Sequence, residues 1–330
     1  MSPRRLLIPV IAMLLVACQP ALTPSPSVAL RHVTLLLGFQ PDVQFAPFYL
    51  AQQDGSYADA GLDVTIEYKS GADLVRLVAD GQAEFGVTDA TDVMISRTAE
   101  IPIKYVATLY QLFPVALIGP KGTVPREPAE LGGLRIGTPG QFGSSWHALL
   151  ALLDAGGLTA DDVTIREYPQ FNQVDGLLNG DVDLITGFRN NEPLRLAAQG
   201  VDTDLLTVEQ FAPLPGPGVI AGDDLRGADP DLMQRFIDAA ASAMAQVAAD
   251  PQVGVDAAVV AVPAIASDKA TALAVLTATV ELWTQAAGGV SPAIDRELWE
   301  KGYATMERLG FIDGSVPLDE MIVEEIVPSD

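Results

Sequence analysis

The polar chemistry of this chain gathers where its apolar runs end. Phe39-Gln40-Pro41-Asp42 follows the run 33–38, Thr88-Asp89-Ala90-Thr91-Asp92 follows 84–87, and Tyr110-Gln111-Leu112-Phe113 follows 103–109. The segments TPGQFGSSW (138–146), YPQFN (168–172) and FRNNE (188–192) repeat the mixture. Aromatic rings (Phe39, Phe45, Tyr110, Phe142, Trp146, Phe171, Phe188) alternate with neutral amides and hydroxyls (Gln40, Gln111, Gln141, Ser144, Ser145, Gln170, Asn172, Asn190, Asn191). Only 6% of the chain is aromatic, so the concentration is selective. Rings stack on a flat apolar ligand, and amides form directional hydrogen bonds to imide and ring-nitrogen groups. The candidate contacts are therefore Gln40, Asp42, Phe45, Thr88, Asp89, Tyr110, Gln111, Phe142, Ser144, Ser145, Trp146, Gln170, Asn172, Phe188, Asn190, Asn191 and Glu192. Any one of these aromatics has core packing as its bland alternative.

Charge is sparse in these segments. Asp42, Asp89, Asp92 and Glu192 are acidic and Arg189 is the one cation, so an anionic ligand would find little neutralisation. A carboxylate there accepts from an amine or a sugar-like hydroxyl, or caps the following helix, a role that suits Asp92. GTPGQFGSS has neither the Lys of a phosphate-binding loop nor dinucleotide glycine spacing. Its backbone N–H groups at 143–145 either meet a ligand carbonyl or oxyanion or cap their helix. Of the two histidines, His32 precedes the first apolar run, and His147 lies inside a predicted helix as a surface or supporting group. No nucleophile, base and orienter converge, which argues against an enzyme. No cofactor and no metal site is expected.

The elements that hold these segments repeat. VTIEYKSGADLVRLVADGQAEFGVTD from Val64 aligns with VTIREYPQFNQVDGLLNGDVDLITGF from Val163 at a constant offset of 99. Each copy reads strand, amphipathic helix, Gly, strand. That is a βαβ unit of a parallel sheet, and two copies imply two equivalent α/β lobes. Further strands are expected at 33–38, 103–109, 115–118 and 134–137, with helices at 45–60, 144–154 and 229–250 and more Ala-rich helices to about 306. The expected division is lobe one at 31–118 and 213–330 and lobe two at 119–212. Crossings near 119–122 and at FAPLPGPG (211–218) hinge a cleft between two parallel-rich, helix-flanked sheets. Ligands of such sheets bind at the carboxyl ends of the strands, where all six segments fall.

The N-terminus reads as an address. Arg4 and Arg5 precede an apolar run at 6–17, shorter than the ~20 residues of a spanning helix. Leu15-Val16-Ala17-Cys18 resembles the lipobox of bacterial lipoproteins, which implies a signal peptide at 1–17, a lipidated Cys18 and a Pro/Ser/Thr-rich tether to residue 30. Cys18 is the only cysteine, so no disulfide, paired thiol or Cys-based metal site is available. Without Arg4 and Arg5 the chain carries 17 basic against 43 acidic residues, a net charge of −26. Such a surface repels nucleic acid and anionic lipid.

The segment FAPFYLAQQDGSYADAGLDVTI, with Gly55-Ser56-Tyr57 leading to Gly61-Leu62-Asp63-Val64, resembles the solute-binding proteins of ABC importers for thiamine pyrimidine precursors, riboflavin and alkanesulfonates. DGQAEFGVTD and GDVDLITGFRNNEP resemble two further segments of that family, and the likeness covers about residues 31–220. It implies a two-lobed periplasmic-binding-protein (type II) fold, with site residues at Thr88, Asp89, 143–146 and 188–192. It also implies delivery of a small molecule to a permease and its ATPase; the chain is expected to act as a monomer, held by Cys18 at the extracytoplasmic face of the cell membrane. The family includes pyrimidine-synthesising enzymes with a cysteine-rich iron motif that this chain lacks. A neutral, flat, amide-bearing ring is the expected ligand. Riboflavin comes first and a formylaminopyrimidine second, with Glu192 suited to the amine of the latter. A sensory lobe pair and a surface enzyme using Ser144 or Ser145 are the readings from other classes.

Overall fold

The computed structural model describes residues 29–69, 71–284 and 288–324. The expected signal peptide, Cys18 and most of the tether lie outside these residues. Among the described residues no helix is long and apolar enough to cross a membrane.

The first sheet contains β1 (Arg31–Leu37), β2 (Leu62–Tyr68), β3 (Phe85–Thr88) and β4 (Ile103–Thr108). Between them run α1 (Ala46–Gln53), α2 (Ser56–Asp59), α3 (Gly71–Ala79) and α4 (Ala90–Thr98). The second sheet contains β5 (Val115–Pro120), β6 (Arg135–Thr138), β7 (Thr164–Glu167), β8 (Leu184–Phe188) and β9 (Thr203–Thr207), connected through α5 (Gly143–Ala155), α6 (Gln173–Leu178) and α7 (Glu192–Ala198). The chain returns as β10 (Gly218–Gly222) and ends in α8 (Asp223–Ala228), α9 (Pro230–Ala249), α10 (Pro251–Ala261), α11 (Lys269–Trp283) and α12 (Arg296–Arg308).

The strand orders are β2-β1-β3-β10-β4 and β7-β6-β8-β5-β9, one topology used twice. The repeat at offset 99 is β2-α3-β3 and β7-α6-β8, and each unit crosses over a central strand, β1 or β6. The fourth strand of each sheet runs antiparallel to its neighbours, and each is the strand formed as the chain enters that sheet from the other. Burial follows position. The edge strand β2 alternates buried Leu62 and Val64 with exposed Asp63 and Thr65, whereas β3 is buried throughout.

Two expectations are corrected, and one strand appears that none covered. The strand at 115–118 belongs to the second sheet, paired on both sides by β8 and β9, so the chain leaves the first sheet at 109–114 rather than near 119–122. Its apolar faces need two neighbouring strands, which only the second sheet offers. The helix expected over 45–60 is a 3₁₀ turn at Val43–Phe45 followed by α1 and α2, because Gly55 at φ +89° interrupts it. Strand β9 had no sequence expectation. Its DLL core is short, and Leu205 stays exposed, so it has no clean alternation.

The C-terminal helices start where acidic caps dictate. Asp229, Asp250, Asp268 and Asp295 accept from the backbone N–H groups of Leu232, Gln252, Thr271 and Leu298. Helices α9 and α10 pack on α1, and Phe236 of α9 stacks 4.1 Å from Phe85 of β3. This packing anchors β3 at its first residue, three positions before Thr88 at the strand's carboxyl end.

Candidate functional site

A cleft of about 980 Å³, its open mouth included, separates the two sheets. Small-molecule sites span roughly 300–1,000 Å³. The first lobe lines it with Gly38, Phe39, Gln44, Phe45, Gly71, Val87, Thr88, Asp89, Asp92, Leu109, Tyr110 and Pro217. The second supplies Pro139, Phe142, Gly143, Ser144, Ser145, Phe171, Gln173, Gly187, Phe188, Asn191 and Glu192. Phe45, Thr88, Asp89, Tyr110, Phe142, Ser144, Ser145, Phe188, Asn191 and Glu192 thus gather there as their positions at strand ends suggested.

Rings define the walls. Phe39 meets Phe171 edge-on at 4.9 Å from the opposite lobe, and Tyr110 meets Phe188 at 6.1 Å. Phe171 holds a left-handed backbone at φ +54°, a conformation a bulky residue adopts only when its surroundings impose it. Phe142 is 46% exposed while it lines the cleft, which puts an apolar ring in contact with solvent.

Bonds between the lobes draw the cleft together. Asp89 Oδ2 accepts from Ser144 N at 2.8 Å, and Thr91 Oγ1 lies 2.9 Å from His147 Nδ1. On a second set, Asn190 Nδ2 donates to Gln44 Oε1 and to Thr279 Oγ1, both at 2.7 Å, and Arg195 pairs with Asp42 at 2.7 Å. The N-terminus of α5, expected to meet a ligand or to cap its helix, is thus occupied by the carboxylate of Asp89. Gly143 permits this approach: its φ is +66°, and a Cβ there would sit 3.1 Å from Asp89 Oδ2.

Seven expected contact residues do not line the cleft. Gln40, Gln170 and Asn172 are exposed, being loop positions whose amides stay in water. Asp42 is buried as the cap of the 3₁₀ turn, accepting from Gln44 N, and as the partner of Arg195. Gln111 donates to the carbonyls of Ser291 and Ala293, tying the crossing to the C-terminal segment. Trp146 packs into the core, since the turn that starts α5 at Gly143 directs it inward. Asn190 is the interlobe tie described above. Gln44 and Gln173 take their place in the lining, each just outside the segments singled out by sequence.

The electrostatics are unusual for a surface with this net charge. No lysine, arginine or histidine is among the described lining residues. Arg189 is spent on a two-pronged pair with Glu209, at 2.7 and 3.1 Å, within the second lobe. The three lining carboxyls are half-buried in the cleft wall. Desolvation, reinforced by the charge of Asp89, pushes Asp92 up to about 8, although Thr88 donates to it. Desolvation raises Asp89 too, opposed by its bond from Ser144. Glu192 rises to about 7 through burial, opposed by Phe188 N, which donates to its Oε2 at 2.7 Å. His147 is buried rather than on the helix surface, and burial lowers it to about 4. It is not among the residues that line the cleft, and its ring meets Phe311 edge-on at 4.6 Å.

Two lobes of one topology, joined by two crossings over a ligand-sized, ring-walled cleft, make the fold of the periplasmic binding proteins. The chain belongs to the NMT1/THI5-like family, whose model matches residues 42–253. It is 32% identical to the riboflavin-binding protein RibY of Chloroflexus aurantiacus over 94% of this chain and 91% of that one. It is 27% identical to the formylaminopyrimidine-binding protein of Halalkalibacterium halodurans over 57% of each chain. In fold it matches the periplasmic aliphatic sulphonate binding protein SsuA of Escherichia coli with a TM-score of 0.70, at 12% identity over 91% and 93% of the two chains.

Proposed function

We propose that this protein captures a flat, uncharged heterocycle, riboflavin first, in the interlobe cleft and delivers it to a membrane permease driven by an ATPase. One observation carries the reading. Six rings (Phe39, Phe45, Tyr110, Phe142, Phe171, Phe188) line a cleft whose described residues include no cation. Rings supply stacking area, and a ligand bearing sulfonate or phosphate would meet three carboxyls and nothing to neutralise it. The likeness to RibY along nearly the whole chain supports riboflavin over other flat rings. The protein binds rather than transforms: Ser144 and Ser145 line the cleft, but the one nearby imidazole, His147, is committed to Thr91 and Phe311. Thr88, Asp89, Ser145, Asn191 and Glu192 are the polar contacts of this reading, and Cys18 is the lipid attachment point that holds the protein on the extracytoplasmic face.

Titrating the domain from residue 28 onward with riboflavin tests the reading, because stacking quenches flavin fluorescence. Saturable quenching with a micromolar or tighter Kd is expected. Absence of quenching together with a thermal shift from a formylaminopyrimidine would overturn riboflavin in favour of the second ligand. That second reading draws on Asp92 and Glu192, which suit an exocyclic amine, and on the formylaminopyrimidine-binding relative.

A further inference from the structure

Gln173 is the first residue of α6 and is 2% exposed, yet it lines the cleft. Its Nε2 donates to the carbonyl oxygen of Thr186 at 3.3 Å. That bond fixes the orientation of the amide, since the flipped form would set two acceptor oxygens against each other. The side-chain oxygen is therefore left over, and Oε1 is buried with no hydrogen-bond partner. Of the buried side-chain atoms without a partner among the described residues, this is the one that belongs to a cleft-lining residue. A buried acceptor left unpaired is costly, and a bound molecule that supplies a donor relieves that cost.

The surroundings state what kind of donor fits. Gln173 is tied to the carbonyl of Thr186 and Glu192 to the N–H of Phe188, so both hang on the carboxyl end of β8, over Gly187. A Cβ at Gly187 would meet the Glu192 side chain at 2.9 Å, so the strand backbone is kept bare at this point. Phe188 and Phe171 stand in the same wall. A planar ring stacked in this wall carries its donors at its edge, and an edge N–H is the group that completes the amide.

We propose that Gln173 is the specificity-determining acceptor of the cleft, its side-chain oxygen taking a hydrogen bond from a ring-edge N–H of the bound heterocycle. The assignment rests on the heterocycle-binding reading above and names the group that reading requires on the ligand. Losing one such bond to a buried acceptor weakens binding by about tenfold.

The test is a cycle of two proteins and two ligands, riboflavin and its analogue methylated on the ring imide nitrogen, each Kd taken from fluorescence quenching. Wild-type protein is expected to bind the methylated flavin about tenfold more weakly than riboflavin. In Gln173→Met, of similar volume and without the amide acceptor, that penalty falls at least fivefold. A purely structural role for Gln173 weakens both ligands alike and leaves the penalty intact, which overturns the proposal, as does unchanged riboflavin affinity in Gln173→Met. Gln173→Glu keeps an acceptor oxygen while losing the donor to Thr186, and it retains the wild-type penalty. Loss of that penalty in Gln173→Glu also counts against the assignment. Failure of the riboflavin reading is seen separately, as no binding by wild-type protein. The same cycle then runs with the formylaminopyrimidine and its analogue with an N,N-dimethylated amine, which has no N–H left to donate, with the same pattern expected. Wild-type protein that binds neither ligand overturns both inferences.

Discussion

Asp89 reaches across the cleft and accepts a 2.8 Å hydrogen bond from the backbone N–H of Ser144, at the start of α5. A helix N-terminus carries roughly half a positive charge, so the protein meets it with its own carboxylate. The bond joins the carboxyl end of β3 to the opposite lobe, and it exists only while the lobes are together. Its energy therefore belongs to closure rather than to either lobe alone.

Asp89→Ala should leave each lobe folded and weaken closure. Removing the acceptor strands a buried N–H at about 1–3 kcal/mol, or roughly ten- to a hundredfold in ligand affinity if the loss falls wholly on the closed state. Small-angle scattering of the ligand-saturated variant should give a larger radius of gyration than wild type. An unchanged radius together with unchanged affinity would remove Asp89 from the closing mechanism.

Gly143→Ala tests the same contact from the other side. A left-handed φ of +66° disfavours any side chain, and the added Cβ would stand 3.1 Å from Asp89 Oδ2. The expected loss of stability is about 1–3 kcal/mol, read as a lowered thermal midpoint. Ser145→Ala, one residue beyond Ser144, should change stability little, because its hydroxyl makes no hydrogen bond among the described residues.

Much of this site was legible in sequence, and the remainder shows where legibility ends. The offset-99 repeat exposed the matched β2-α3-β3 and β7-α6-β8 units, so the strand ends carrying Thr88, Asp89 and Phe188 could be found without coordinates. The position of β5 could not, because an apolar run states that a strand is buried and not which sheet buries it. Polar residues sorted the same way. Gln111 and Gln173 are both amides near strand ends, and only tertiary structure sends the first to two backbone carbonyls and the second into the cleft wall. Gln44 and Gln173 lie just past the marked segments, Gln44 in the 3₁₀ turn and Gln173 at the start of α6, and no local pattern separates them from amides that stay in water.

Stability should depend on pH in a direction set by the desolvated acids of the cleft wall. Asp92, held at about 8, and Glu192, at about 7, keep their protons in the folded protein after the unfolded chain has lost them. Raising the pH through that window therefore favours unfolding. His147, lowered to about 4, acts oppositely, since below about 6.5 the unfolded chain takes up a proton that the folded one refuses. The two effects oppose one another between pH 4 and 6.5, and above that the acids prevail. Unfolding free energy should fall by about 1–2 kcal/mol from pH 6.5 to 8. Asp92→Asn should flatten the decline, as followed by chemical denaturation at several pH values. A wild-type profile that rises over this interval would contradict the assignment.

Charge in the cleft yields the sharpest ligand comparison. Flavin mononucleotide shares the ring of riboflavin and adds a dianionic phosphate. Against Asp89, Asp92 and Glu192, with Arg189 and Arg195 already committed to Glu209 and Asp42, that phosphate gains no cation and loses hydration. Desolvating it without a partner costs several kcal/mol, so the phosphorylated flavin should bind at least a hundredfold more weakly than riboflavin. The gap should narrow as pH falls from 8 to 6, where Asp92 and Glu192 become neutral and the phosphate takes up its second proton. Asp92→Asn should narrow it at pH 8 as well, by removing one of the charges that repel the phosphate. Equal affinities for the two flavins at pH 8 would mean that the phosphate stays in solvent beyond Phe142 at the mouth, and that the carboxyls face the ring alone.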